Sequence, residues 1–140
     1  MKLHGVGLSA VAMLLALTAC GRSDTAALML DGSETALTLE RIKPYAWSEA
    51  WELELIVRRN PDCQRRHRLR PTAKTALAVE VFTPESGIFI VRQDKRWYVT
   101  DLKSCELQAF KEEPPHPGTL VGSFRVKSEK LGFVRALDHD

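Results

Sequence analysis

This chain of 140 residues has little of what a membrane span needs. Its apolar run from Val6 to Leu17 covers about twelve residues and is interrupted by Gly7 and Ser9, whereas a transmembrane helix takes about 20. Histidine is scarce, and His67, His116 and His139 share no metal-ligand spacing. There are only three cysteines, too few for the paired ligand motifs of a structural zinc site. Glycine-rich phosphate loops, heptads and internal repeats are absent. Ser48, Ser86, Ser104, Ser123 and Ser128 lack the context of a nucleophile elbow. Carboxylates are scattered over strand faces and turns, so no catalytic pair stands out. The formal net charge is +2, well short of the basic balance expected of a nucleic-acid-binding domain. These absences point away from an enzyme, from a metal or cofactor site and from nucleic acid.

What is present begins at the amino terminus. Lys2 supplies one charge, the apolar run follows, and Leu17-Thr18-Ala19-Cys20 ends it with small residues. A charged start, a short apolar stretch and small residues at its end are the anatomy of a secretory signal. The cysteine directly after them resembles the lipobox of bacterial lipoproteins, Leu-[Ala/Ser/Thr]-[Gly/Ala]-Cys. The resemblance implies a diacylglyceryl group on Cys20, cleavage before it and acylation of the new amino terminus. The mature chain would then be held to a membrane of the cell envelope by lipid alone, with no other cofactor. Gly21, where the enterobacterial sorting rule would place Asp for inner-membrane retention, implies the outer membrane, facing the periplasm. The expected layout is a signal peptide over 1–19, an acylated Cys and polar tether over 20–26, and one β-rich domain over 27–137. A tether of six residues reaches at most about 20 Å.

Removing the leader takes away Lys2 and leaves nineteen Lys and Arg against eighteen Asp and Glu. About 121 residues suit one domain. With Cys20 assigned to lipid, Cys63 and Cys105 remain as an even pair. In an oxidising compartment such a pair is expected to bond, and closing a loop of about 43 residues would stabilise the fold by roughly 4 kcal/mol. The alternative is two buried free thiols.

Apolar residues recur mostly with period two. Trp51, Leu53, Leu55 and Val57 alternate with Glu52, Glu54 and Arg58, which predicts a strand with its apolar side on a core. Thr35 to Leu39 and Ala76 to Phe82 show the same pattern. Ile88 to Arg92 and Arg96 to Asp101 flank a short polar turn and predict a hairpin. Cys105 to Lys111 is a further candidate strand, and Thr119 to Lys127 with Leu131 to Ala136 predict a closing hairpin. Pro114, Pro115 and Pro117 mark an extended connection. The best helical candidate, Pro44 to Glu49, is one or two turns long. The pattern predicts an all-β protein, a single small antiparallel sandwich or barrel of about seven or eight strands.

The most unusual segment is the connection from Arg58 to Lys74. Six arginines fall within 13 residues of it, against one lysine. Arg65, Arg66, Arg68 and Arg70 are the candidate binding residues, because the planar guanidinium matches carboxylate or phosphate. The alternative is a solvated loop paired with Glu40, Glu52, Glu54, Glu80 or Glu106. Among the aromatics, Trp51 and one of Trp97 and Tyr98 are expected in the core, the other half exposed, since neighbours on a strand face opposite ways. Trp47 is placed in a loop.

The sequence thus predicts a lipid-anchored binding module of the envelope, an accessory subunit that holds an envelope protein partner and carries out no reaction. The alternative is a binder of anionic lipid or cell-wall polysaccharide through the arginine-rich segment.

Overall fold

Leu53, Leu55 and Val57 follow one another at every second position, and all three are fully buried, while the residues between them are half-buried. That alternation recurs through the structure, a computed structural model that describes residues 20–73 and 76–139. The leader expected over 1–19, and Lys74, lie outside the described residues.

Four strands, β1 (Cys20–Asp31), β2 (Thr35–Tyr45), β3 (Glu52–Arg59) and β4 (Cys63–Arg68), form one antiparallel sheet in chain order. Six more form the second: β5 (Ala78–Glu85), β6 (Ile88–Gln93), β7 (Arg96–Asp101), β8 (Leu107–Ala109), β9 (Thr119–Lys127) and β10 (Lys130–Arg135). Their order is β10-β9-β5-β6-β7-β8. The result is a small all-β fold of sandwich type. Leu37, Leu39, Leu53, Leu55 and Val57 supply the core from the first sheet. Val79, Val81, Val91, Tyr98 and Phe124 supply it from the second. Burying each such side chain favours folding by about 1.5–3 kcal/mol.

The sheets also meet along their margins. Strand β1 lies beside β10. At the opposite margin the Cys63 sulfur of β4 stands at disulfide distance from that of Cys105, with Cα atoms 6.0 Å apart. His67 on β4 donates from Nε2 to the Cys105 carbonyl at 2.7 Å, so that margin is held twice.

The fold class agrees with the sequence; several details differ. There are ten strands among the described residues, rather than seven or eight. The segment expected as a tether, 20–26, is the first half of β1, paired with β2 from Cys20 opposite Tyr45 onward. Gly21-Arg22-Ser23-Asp24 carries no apolar alternation, because this part of the strand is held by backbone pairing and by the Asp24 side chain. The arginine-rich connection contains β4, hydrogen-bonded to β3 from Arg59 opposite Cys63 to Glu54 opposite Arg68. In place of a helix over Pro44 to Glu49, Pro44 and Tyr45 end β2 and a turn follows. It is closed by the Ser48 N–H on the Tyr45 carbonyl at 3.0 Å. The last described residues, Ala136–His139, form a single 3-10 turn.

The sandwich has two ends. One carries Cys20, Tyr45, the Trp51–Thr72 bridge, the β6–β7 turn and the β9–β10 turn. The other carries the β1–β2, β3–β4 and β5–β6 turns and the disulfide.

Candidate functional site

Strand β4 sets its arginines by strand parity. Arg65 and His67 lie opposite Val57 and Leu55, and so on the core-facing side at the margin of the sheet. Arg66 and Arg68 lie opposite Ile56 and Glu54, on the outer face. The four candidate residues therefore do not make one patch. Arg66 is engaged by two carboxylates, Glu40 at 2.8 Å and Glu54 at 2.9 Å. Hydrogen bonds to Glu40 and then Glu54 raise its pKa above the ordinary arginine value. For this residue the solvated, carboxylate-paired alternative holds. Arg65, Arg68 and Arg70 are exposed, and ion pairs of β4 among the described residues are confined to Arg66. Arg70 is fixed through its backbone. Its N–H donates to Gln93 Oε1 at 3.2 Å, and its carbonyl accepts from Gln93 Nε2 at 2.7 Å. Arg58 donates to the Ser33 carbonyl at 3.0 Å, and Arg59 lies 3.7 Å from Asp62.

A second charged group was not singled out by the sequence. Arg41 is buried at 8% exposure, at a position of β2 where the alternation calls for an apolar residue. Asp24 of β1 is its cross-strand neighbour. One oxygen of Asp24 accepts from Arg41 Nη2 at 3.0 Å, from Arg41 Nε at 3.3 Å and from the Leu131 N–H at 2.7 Å. The Arg41 guanidinium lies 4.3 Å from the centroid of the half-buried Trp51 ring. It also donates to the Glu129 carbonyl at 2.6 Å. Ser128 and Glu129 both have positive φ, 50° and 66°, which a two-residue hairpin turn requires and non-glycine residues seldom adopt. The pair thus ties the first sheet to the β9–β10 turn of the second. It lines an open groove of about 1050 Å³ together with Arg22, Trp51 and Lys130. The available clue was an arginine at an inward position next to an aromatic strand start.

A second groove, about 990 Å³, opens at the disulfide end between Leu30, Phe89, Leu102 and Val121, with Arg59 and Lys103 at its rim. Beside it Asp101 closes the start of the β7–β8 connection. Its carboxylate accepts from the Ser104 and Lys103 N–H groups, both at 2.8 Å, and from the Ser104 hydroxyl at 3.0 Å. These bonds, that of the Ser104 N–H foremost, hold its pKa below the ordinary carboxylate value.

The aromatics divide differently from expectation. Trp97 and Tyr98 are both buried. Tyr98 joins the core. Trp97, on the other face, is covered by Phe82 at 5.6 Å between centroids and by the Arg92 guanidinium at 5.3 Å. Trp47 and Tyr45 are exposed and stacked parallel, 5.1 Å apart. Among the described residues no three His, Cys, Asp or Glu are placed to hold a metal ion, and no helix is long and apolar enough to cross a membrane. Comparison with known families, with curated proteins and with solved structures finds no match.

Proposed function

We propose that this chain is a lipid-anchored binding module of the bacterial envelope, attached through Cys20, that holds an acidic protein partner along β4. The observation that carries this reading is the state of the β4 arginines. Arg66 is neutralised by Glu40 and Glu54, whereas Arg65 and Arg68 stand exposed on the outermost strand of a sheet. A sheet margin offers backbone groups to an added strand, and unpaired guanidinium groups beside it favour carboxylates. The lipobox resemblance and Gly21 support an address at the outer membrane, and the exposed arginines of β4 support the role of an accessory subunit there.

A second reading has one observation in its favour. The carboxyl-terminal end of β4, with Arg68 and Arg70, lies at the same end of the sandwich as Cys20. Lipid or cell-wall phosphates and carboxylates would then be the ligand of these arginines. Arg65→Glu with Arg68→Glu separates the readings. The fold should survive, since surface changes usually cost under about 0.5 kcal/mol. Loss of a co-purified protein at unchanged thermal unfolding supports the first reading. Loss of flotation with anionic liposomes, sensitive to salt, supports the second. Unchanged binding in both assays contradicts a binding role for β4.

A further inference from the structure

The end of the domain that carries Cys20 also carries its most exposed aromatic side chains. Trp47 is 69% exposed and Tyr45 53%. Their rings are stacked 5.1 Å apart and within 7° of parallel. They do not sit on a loose loop. The Tyr45 N–H donates to Ser48 Oγ at 3.1 Å, and the Ser48 N–H returns to the Tyr45 carbonyl. A preformed slab of indole and phenol held out in water is an unfavourable arrangement for a domain with nothing to place against it. Trp and Tyr are the side chains that settle at the headgroup level of a bilayer, where an apolar ring and a polar tip are both accommodated.

Tyr45 is the cross-strand partner of Cys20. Directly opposed residues of an antiparallel pair have Cα atoms about 4.5–5.5 Å apart. A lipid on Cys20 would therefore enter the bilayer beside this aromatic pair, with no intervening chain. The next inward pair with the same parity is Arg22 opposite Lys43. The pairing of Trp51 with Thr72 brings Arg70 to the same end, and the β6–β7 turn adds exposed Lys95 and Arg96. Carboxylates collect at the other end, with Asp31, Glu34, Asp62 and Glu85 on its turns. The Cys20 end also holds Glu49, Asp94 and Glu129, and the disulfide end Arg58, Arg59 and Lys103, so the molecule is polarised by excess: cations and exposed aromatics predominate toward Cys20 and acids away from it. Anionic lipid headgroups attract clustered Lys and Arg close to the membrane surface.

We infer that the Cys20 end is a membrane-contact surface: Tyr45 and Trp47 enter the interfacial layer of a phospholipid bilayer, and Arg22 and Lys43 face its phosphates. The inference rests on the lipid-anchor reading of Cys20 and adds to it. Because β1 begins at Cys20, the domain is docked on the membrane in a fixed orientation, with the disulfide end and its groove turned away from the bilayer.

The test uses the full chain expressed with its leader, extracted from membranes and reconstituted into phosphatidylglycerol-containing vesicles whose acyl chains are brominated near the headgroup. Tryptophan fluorescence is compared with that in unbrominated vesicles, for the native protein and for Trp47→Phe. The mass of the Cys20 peptide is read on the same preparations. Trp51 and Trp97 remain in both proteins as a common background, and thermal unfolding checks that the exposed substitution leaves the fold intact. Acylated Cys20 with quenching that is largely lost in Trp47→Phe supports the contact surface. Acylated Cys20 with no quenching, or with equal quenching in both proteins, overturns it and leaves the anchor standing. An unmodified Cys20 overturns the anchor, and this inference with it.

Discussion

Asp24 uses one carboxylate oxygen to hold Arg41 and the Leu131 N–H, and so joins three strands from both sheets. Removing it would leave a guanidinium at 8% exposure with the Glu129 carbonyl and the Trp51 face as its remaining partners. Breaking one side of a buried ion pair costs about 3–5 kcal/mol. Asp24 itself is partly exposed, so Asp24→Ala is expected to cost less than a fully buried pair, about 2–3 kcal/mol by urea unfolding. A loss under about 0.5 kcal/mol, the ordinary cost of a surface change, would show that the pair does not tie the sheets. Asp101 makes a prediction in pH. Its folded pKa is depressed, so its contribution is fully present above the unfolded value of about 3.9. It is lost as pH falls through the lower, folded value. Asp101→Asn should lower stability at neutral pH and flatten the acid limb below about pH 4. An unchanged acid limb would contradict the assignment. Neither role was legible in the sequence, where Asp24 looked like part of a polar tether and Asp101 like the end of a hairpin strand. Both act through backbone N–H groups, and the Asp24 acceptor serves a residue distant in the chain.

At the scale of elements, the sequence was readable wherever one face of a strand is apolar. Leu53, Leu55 and Val57 of β3 and Val79 and Val81 of β5 followed from period two, and the β6–β7 hairpin from the short polar turn between its strands. Strand β4 did not, because Cys63-Gln64-Arg65-Arg66-His67-Arg68 has no apolar face. It is a marginal strand, fixed by backbone pairing to β3, by His67 on the Cys105 carbonyl and by the disulfide. Trp97 and Tyr98 were misjudged for a related reason. Strand β7 is covered on both faces, so alternation did not separate inside from outside. The disulfide carries the prediction at this scale. Denatured, unreduced mature protein should show no free thiol. Reduction should cost about 3–4 kcal/mol of stability, given the 42-residue separation, and should act first on the β4 margin. Two free thiols per chain would contradict the bridge.

For the whole molecule, the position of Cys20 carries more consequence than any groove. Had residues 20–26 been a tether, the domain would turn freely above a membrane, and its charge distribution would mean little. With Cys20 of β1 paired to Tyr45, a lipid on Cys20 would set attachment and orientation together. On the proposed anchor, the cation-rich, aromatic end would meet the bilayer, and β4 would run along the side of the domain with Arg65 and Arg68 exposed. The leader and lipobox are expectations of the sequence alone, since residues 1–19 lie outside the described residues. The pairing of Cys20 with Tyr45, on which the proposed orientation rests, joins residues distant in the chain and has no local signature. The measurement that bears on this most directly is the intact mass of the mature chain extracted from membranes, with fragmentation to locate any modification. A chain beginning at Cys20 and carrying diacylglyceryl and acyl groups on that residue is the predicted result. A chain that retains residues 1–19, or that carries an unmodified Cys20, would contradict the lipid-anchored function.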